Sequence, residues 1–216
     1  LLQNDLGTAL VLAACALALL LIAGMPVRQL ASAILSVCLM GVVLVAGTPF
    51  RRVRLLAFLH SLQCKSAISY HVCQSLLALG SGTLWGRGLG SGSQVASYLP
   101  APFTDSIFAL IGEELGFVGA MSVLLLVTMV LWRGWRIARG ARDAFGALVA
   151  TGITCWLVTQ ACMNIGSNIA ATPFTGVPLP FISFGGSSLV VSLAACGILL
   201  NLSAQKDVRY QDHEIL

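Results

Sequence analysis

Three carboxylates invite a chemical reading in a chain where only 9% of 216 residues are Asp, Glu, Lys or Arg: Asp105, Glu113 and Glu114. Asp105 follows Tyr98-Leu99-Pro100-Ala101-Pro102-Phe103-Thr104 and opens an apolar run reaching Trp132. Two readings fit it. A carboxylate at a helix mouth is satisfied as an N-cap or first-turn acid, because orphan backbone N–H groups and the helix dipole favour negative charge. A carboxylate at a water–lipid boundary is partly desolvated. Its pKa then rises toward neutrality, the useful range for a general base. On a regular helix Glu113 falls about 80° from Asp105 and Glu114 nearly opposite, so the three do not share one groove. Acids at membrane depth face a bundle interior or wet cavity, or pair with a buried donor. Asp5, at the mouth of the first apolar run, is a further acid with capping as its default.

The other polar groups divide similarly. Arg51, Arg52 and Arg54 follow the second apolar run and are either interfacial anchors or a grip for a phosphate or diphosphate. Arg133, Arg136, Arg139 and Arg142 read as a solvated basic loop. His60, His71 and His213 are scattered. No metal-ligand spacing, phosphate-cradling glycine loop or Ser-His-Asp order is present, and no nucleic-acid face, since basic residues sit at the ends of apolar runs. Gly112, Gly116 and Ala120, four apart, suit close helix packing. Cys15, Cys38, Cys155, Cys162 and Cys196 lie in apolar runs and read as small hydrophobes. Cys64 and Cys73 fall in a polar connection, where pairing stays open.

These residues must be positioned by membrane helices. The chain is 57% hydrophobic with mean hydropathy +0.92, and so little charge cannot cover a water-facing surface. Runs of about 20 apolar residues predict five spans in one transmembrane domain over residues 1–216: 6–24, 29–47, 106–132, 144–163 and 177–203. A large loop, 48–103, joins the second and third. The short loops carrying Arg28, Arg133–Arg142 and the tail with Lys206 and Arg209 fall on one side, so the C-terminus is expected in the cytoplasm. The long loop, Asp5 and the segment from Asn164 to Thr175 are then external. The long loop holds a short apolar piece, Val72 to Leu79, and a glycine-rich run, Gly80 to Gly92, able to turn tightly and approach other backbone. Pro173 to Ser188 has three prolines within Pro173–Pro180 and a Gly-Gly-Ser-Ser run. This predicts an irregular helix entry, tolerated at membrane depth where it lines a cavity. The opening Leu1-Leu2-Gln3 has no charged segment ahead of the apolar run, so no signal peptide is expected and the sequence reads as the continuation of something longer.

Several strings carry a resemblance. They are "NDLGTALV" at Asn4 to Val11, "QSLLALGSG" at Gln74 to Gly82, "YLP" at Tyr98 to Pro100, "TDSIFALIGEELGFVG" at Thr104 to Gly119, "NIG" at Asn164 to Gly166 and "TGVPLPFISFGGSSL" at Thr175 to Leu189. In this order they resemble the FtsW/RodA/SpoVE (SEDS) family of peptidoglycan glycosyltransferases, and "LWGRGLGSGSQ" with "IGEELG" resembles its division branch. The resemblance implies an all-α polytopic bundle, this chain supplying about the last five of ten helices. It implies glycan polymerisation from lipid II during septal wall synthesis, with Asp105 as general base.

It also implies substrate contacts among Arg51, Arg52, Gln74, Gln94, Thr104, Asn164, Ser183, Ser187 and Ser188, with Asp5, Glu113 and Glu114 structural or supporting. No cofactor is implied, and a divalent cation stays open. Implied partners are a class B penicillin-binding protein, other divisome proteins, lipid II and undecaprenyl-linked glycan. The implied location is the bacterial cytoplasmic (inner) membrane at the septum. The chain departs from the family pattern at Val95 and Ala101, where Lys and Glu are usual, at Ser106 for an aromatic and at Asn4 for Pro. A lipid II flippase and a non-catalytic division scaffold are the alternatives. Five spans alone are expected to be inactive.

Overall fold

The computed structural model describes residues 6–47, 52, 67–91 and 103–212. Six helices are described: α1 (Leu6–Ile22), α2 (Val27–Gly47), α3 (Ala67–Ser81), α4 (Ile107–Arg139), α5 (Ala144–Asn168) and α6 (Gly186–Asp212). There is no strand among the described residues. The all-helical expectation holds. Helices α4, α5 and α6 are long and apolar enough to cross a membrane, while α1 and α2 contribute shorter apolar stretches, Gly7–Ile22 and Val27–Val43. Many large side chains stay on the outside, among them Leu125, Leu126, Met129, Val190, Val191 and Leu193. Such a belt would be a liability in water and is natural against lipid.

Local chemistry sets the ends. After α1, Gly24 takes φ 81, and the Gly24 and Met25 amides return to Leu21 O and Leu20 O at 3.3 and 3.2 Å, a glycine-closed helix end. Asp143 caps α5, its side chain accepting from Gly146 N at 3.3 Å. At the far end of α4, the guanidinium groups of Arg133 and Arg136 lie over Trp132 and that of Arg139 over Trp135. Three of the four arginines read as loop residues therefore belong to the last turns of α4, as tryptophan-backed anchors.

Helix α5 is central: α1, α3, α4 and α6 all pack on it, and α2 rests on α1. Small residues allow the close approaches. A Cβ at Gly134 of α4 would stand 2.0 Å from Thr154 Oγ1 of α5. One buried cluster joins Phe108, Ala120 and Val123 to Ala161, Ile165 and Leu179, and a second joins Ala138, Ala150 and Leu199.

Three expectations need correction. The short apolar piece of the long loop is a full helix, α3, packed on α4. The last helix begins at Gly186 and not at residue 177, because the stretch from residue 171 to 185 is irregular, close to the Pro173–Ser188 stretch predicted as an irregular entry. Asn164 lies inside α5, which runs on to Asn168.

The larger surprise is α4. Gly116 has φ 69 and ψ −162, splitting it into Ile107–Leu115 and Phe117–Arg139. A broken helix exposes carbonyls at one broken end and N–H groups at the other. The loop after α3 satisfies both. Arg87 N and Gly88 N donate to Glu113 O and Glu114 O, each at 3.0 Å. Phe117 N and Val118 N donate to Thr83 O and Leu84 O at 2.9 and 3.3 Å. Only glycine permits this fit: a Cβ at Gly82 would lie 1.9 Å from Gly112 O, and one at Gly116 2.3 Å from Gly86 N. Of the small residues expected to serve helix packing, Gly116 serves a backbone clasp, while Gly112 faces Leu79 of α3 and Ala120 packs with Ala161 and Ile165 of α5.

Candidate functional site

Asp105 lies in the turn 103–106 that leads into α4. The capping reading is not realised. Ser106, not Asp105, occupies the N-cap position, and it makes no side-chain cap bond. Its hydroxyl is instead 3.2 Å from His71 Nε2 on α3, and the His71 ring lies against Phe174 with centroids 4.1 Å apart. This places α3 beneath the turn. Ser106 thus occupies the position where an aromatic was expected and turns its hydroxyl to a histidine.

Besides α3, the stretch before α6 and the helix α5 grip the turn. Phe184 N donates to Phe103 O at 2.9 Å. Ser183 Oγ donates to Thr104 O at 2.6 Å while accepting from Leu179 N at 2.7 Å. Asn164 Nδ2 and Asn168 Nδ2 both donate to Asp105 O at 3.0 Å. Asn164 Nδ2 also donates to Val177 O at 2.8 Å. The irregular segment before α6 therefore forms one wall of the Asp105 turn. Gly176, at φ +66, is where a Cβ would lie 3.4 Å from Asp105 Oδ2. The first turn of α1 presses on the same wall, since a Cβ at Gly7 would lie 2.5 Å from Val177 Cγ2. Parts of the strings at Asn4–Val11, Thr104–Gly119, Asn164–Gly166 and Thr175–Leu189 thus meet in space.

The Asp105 carboxyl is half-buried, and burial raises its pKa above the ordinary carboxylate range, partly offset by a hydrogen bond with the Thr104 side chain. A carboxylate so placed is basic enough to take a proton and open enough to meet a hydroxyl.

Other expected site residues are placed differently. Thr104 and Ser183 adjoin Asp105. Asn164 is 1% exposed and bonded to backbone, so it holds the site and faces no substrate. Asn168, also 1% exposed, was not singled out in the sequence; a polar residue closing a helix looks like an ordinary terminus. Gln74 lies on α3 with Oε1 buried and without a hydrogen-bond partner. Ser187 is exposed and Ser188 half-buried in the first turn of α6. Arg52 donates to Ala46 O at the end of α2. Glu113 and Glu114 serve the clasp. Glu113 is 0% exposed and 3.7 Å from Arg87 Nη1, while Glu114 Oε1 accepts from Gly90 N at 3.0 Å. The angle expected between them and Asp105 does not apply, because Asp105 precedes the helix. Asp5, Arg51, Gln94, Val95, Ala101 and Asn4 lie outside the described residues, as do His60, His213 and Cys64. Cys73 of α3 is disulfide-bonded.

A cavity of about 470 Å³ lies between α4, α5, α6 and Leu179–Ile182. Its lining includes Val127, Leu157, Cys196 and Leu200, with Arg133 the one charged residue. It holds no acid and carries no chemistry of its own.

A family model described as a cell cycle protein of FtsW, RodA and SpoVE type matches residues 1–208. This chain belongs to the FtsW/RodA/SpoVE family. It is 42% identical over 201 residues to stage V sporulation protein E of Bacillus subtilis (strain 168), covering 93% of this chain and 55% of that one. It is 40% identical over 203 residues to a probable peptidoglycan glycosyltransferase FtsW of Geobacter metallireducens, covering 94% and 54%. A solved structure on the coordination of polymerization and crosslinking by a peptidoglycan synthase complex contains a similar chain. There the TM-score is 0.74 at 27% identity, with 94% of this chain and 57% of the other covered. The chain spans about half the length of the curated relatives it matches. Family membership and the helical membrane fold, expected from the strings and the hydropathy, are both borne out.

Proposed function

We propose that this chain carries the acid–base centre of a peptidoglycan glycosyltransferase that builds glycan from lipid II in septal wall synthesis. The observation that carries this is Asp105: a half-buried carboxylate of raised pKa, gripped by three segments and facing a glycine wall. A sugar hydroxyl is a weak nucleophile. As the GlcNAc 4-hydroxyl oxygen bonds to the anomeric carbon of the growing chain, its proton passes to Asp105, and the bond from that carbon to the carrier diphosphate breaks with its electron pair on the diphosphate oxygen. Gripping Asp105 by its backbone leaves the carboxylate, held on its own side by the Thr104 side chain, to make this transfer and lowers the entropy of reaching it. The leaving diphosphate needs cations; Arg51 and Arg52 are assigned that role by charge and by their place after α2.

Relatives named as probable glycosyltransferases support the activity, and the matched synthase complex supports a penicillin-binding partner of class B. The placement is the bacterial cytoplasmic membrane at the septum, C-terminus inside. Two features support that orientation. The tryptophan-backed arginines lie at the end of α4 opposite Asp105. The Cys73 disulfide lies on α3, beneath the Asp105 turn, as suits an oxidising, external side.

The break at Gly116 favours one rival, a lipid II flippase, since broken helices recur in transporters. Reconstituting the full-length protein with its partner in liposomes carrying labelled lipid II separates the readings. Glycan polymer is the expected result. Movement of lipid II between leaflets without polymer would replace the synthase by a flippase. Neither, beside retained partner binding, would leave a scaffold.

A further inference from the structure

Asp105 is fixed through its backbone, and one buried side chain spans the gap that its carboxylate faces. Asn164 Nδ2 has two hydrogens. One goes to Asp105 O at 3.0 Å and the other to Val177 O at 2.8 Å. Val177 follows Gly176, where a Cβ would lie 3.4 Å from Asp105 Oδ2. A single carboxamide therefore ties the acid to the wall opposite it. We infer that Asn164 is a positioning residue: it sets the width and alignment of the slot between the Asp105 carboxylate and Gly176, with Asn168 as its brace. This rests on the reading of Asp105 as the base.

The chemistry follows from what the amide fixes. A carbonyl has two acceptor sites, and Asp105 O uses both, on Asn164 and Asn168. Pinning that oxygen fixes the backbone torsion next to the Asp105 Cα. The carboxylate is then left with only its two side-chain torsions. Asn168 donates in turn to Asn164 O at 2.9 Å, and the two, four residues apart, lie on one face of α5. Each is 1% exposed, so neither touches substrate. The adjoining carbonyls, Phe103 O and Thr104 O, are held by Phe184 N and Ser183 Oγ, which fixes the turn but not the slot. Of these bonds, those of Asn164 are the ones that hold both Asp105 O and the carbonyl next to Gly176. Proton transfer needs heavy atoms within about 2.6–3.2 Å, and a 1 Å misplacement costs about 100-fold in rate.

The test uses the full-length protein with its partner and purified lipid II. Asn164→Leu keeps similar bulk and removes both donors. The expected result is a kcat lowered about 10–100-fold with KM and lipid II affinity at their wild-type values. Asn168→Leu removes one of the two donors to Asp105 O and leaves the tie to Val177, so its kcat falls less. If Asn164→Leu does not fold, Asn168→Leu carries the test, and a wild-type kcat for it overturns the inference. A wild-type kcat for folded Asn164→Leu, or a raised KM with kcat unchanged, also overturns it. The comparison with Asp105→Asn separates the two levels. Polymer from Asp105→Asn at the wild-type rate sinks both readings, whereas an inactive Asp105→Asn beside a fully active Asn164→Leu sinks only this one.

Discussion

Gly116→Ala strikes the clasp between α3's loop and the broken helix α4. Gly116 has φ 69 and ψ −162, a region essentially confined to glycine, where another residue costs about 1–3 kcal/mol. The added Cβ would also stand 2.3 Å from Gly86 N and 2.6 Å from Leu84 O, both backbone atoms that cannot rotate away. The variant must either strain or release the loop. Release gives up the four backbone bonds at Glu113, Glu114, Phe117 and Val118, at about 1 kcal/mol each net. Whichever route is cheaper, the loss is about 3–4 kcal/mol, a large part of a typical stability of about 5–15 kcal/mol. At about 2–4 °C per kcal/mol for a chain of this size, the unfolding midpoint in detergent drops by about 10 °C. Limited proteolysis should then cut within residues 82–91 before elsewhere. Gly41→Ala is the control: nothing lies within 4 Å of its Cβ position, and it should hold stability or raise it by up to about 1 kcal/mol. A Gly116→Ala protein with the wild-type midpoint and an uncut loop would refute the clasp.

Three further outcomes follow from the same geometry. Arg87→Met leaves the fully buried Glu113 carboxylate short of its cation and should destabilise by about 2–3 kcal/mol, more than Glu113→Gln, with the double variant costing less than the sum in denaturant unfolding. Because Asp105 has a raised pKa in the folded protein, the base form is lost as pH falls through that raised value. The acid limb of the polymerisation rate should therefore lie above the ordinary carboxylate range, and a limb at the ordinary Asp value would contradict the burial argument. Cys73→Ser removes a disulfide from α3 and should cost about 2–4 kcal/mol, seen as a lower midpoint that reducing agent reproduces in the wild type but does not lower further in the variant.

The sequence disclosed what depends on composition and on single residue types. Apolar runs gave the helices, and the prolines with Gly-Gly-Ser-Ser gave an irregular entry to α6. What depends on two distant segments meeting was harder to read. Gly112 and Gly116 show the same spacing whether they pack a helix or admit a loop. The deciding signal is the matching pair Gly82 and Gly86, each facing backbone of the α4 break. Asp105 looked like a cap because acids favour that position, but Ser106 fills it and the carboxylate is left free of capping. Asn164 looked like a substrate contact because it belongs to a recognisable string, and its burial against two carbonyls is a tertiary fact. Asn168 gave no signal apart from its place one turn beyond Asn164.

The most direct test is single-turnover polymerisation of labelled lipid II by the full-length protein with its partner, comparing wild type with Asp105→Asn. The substitution keeps the shape of the side chain and its place in the gripped turn while removing the base. The account predicts glycan polymer from the wild type, none from the variant, and equal lipid II binding by both. Polymer at the same rate from the two proteins would contradict it.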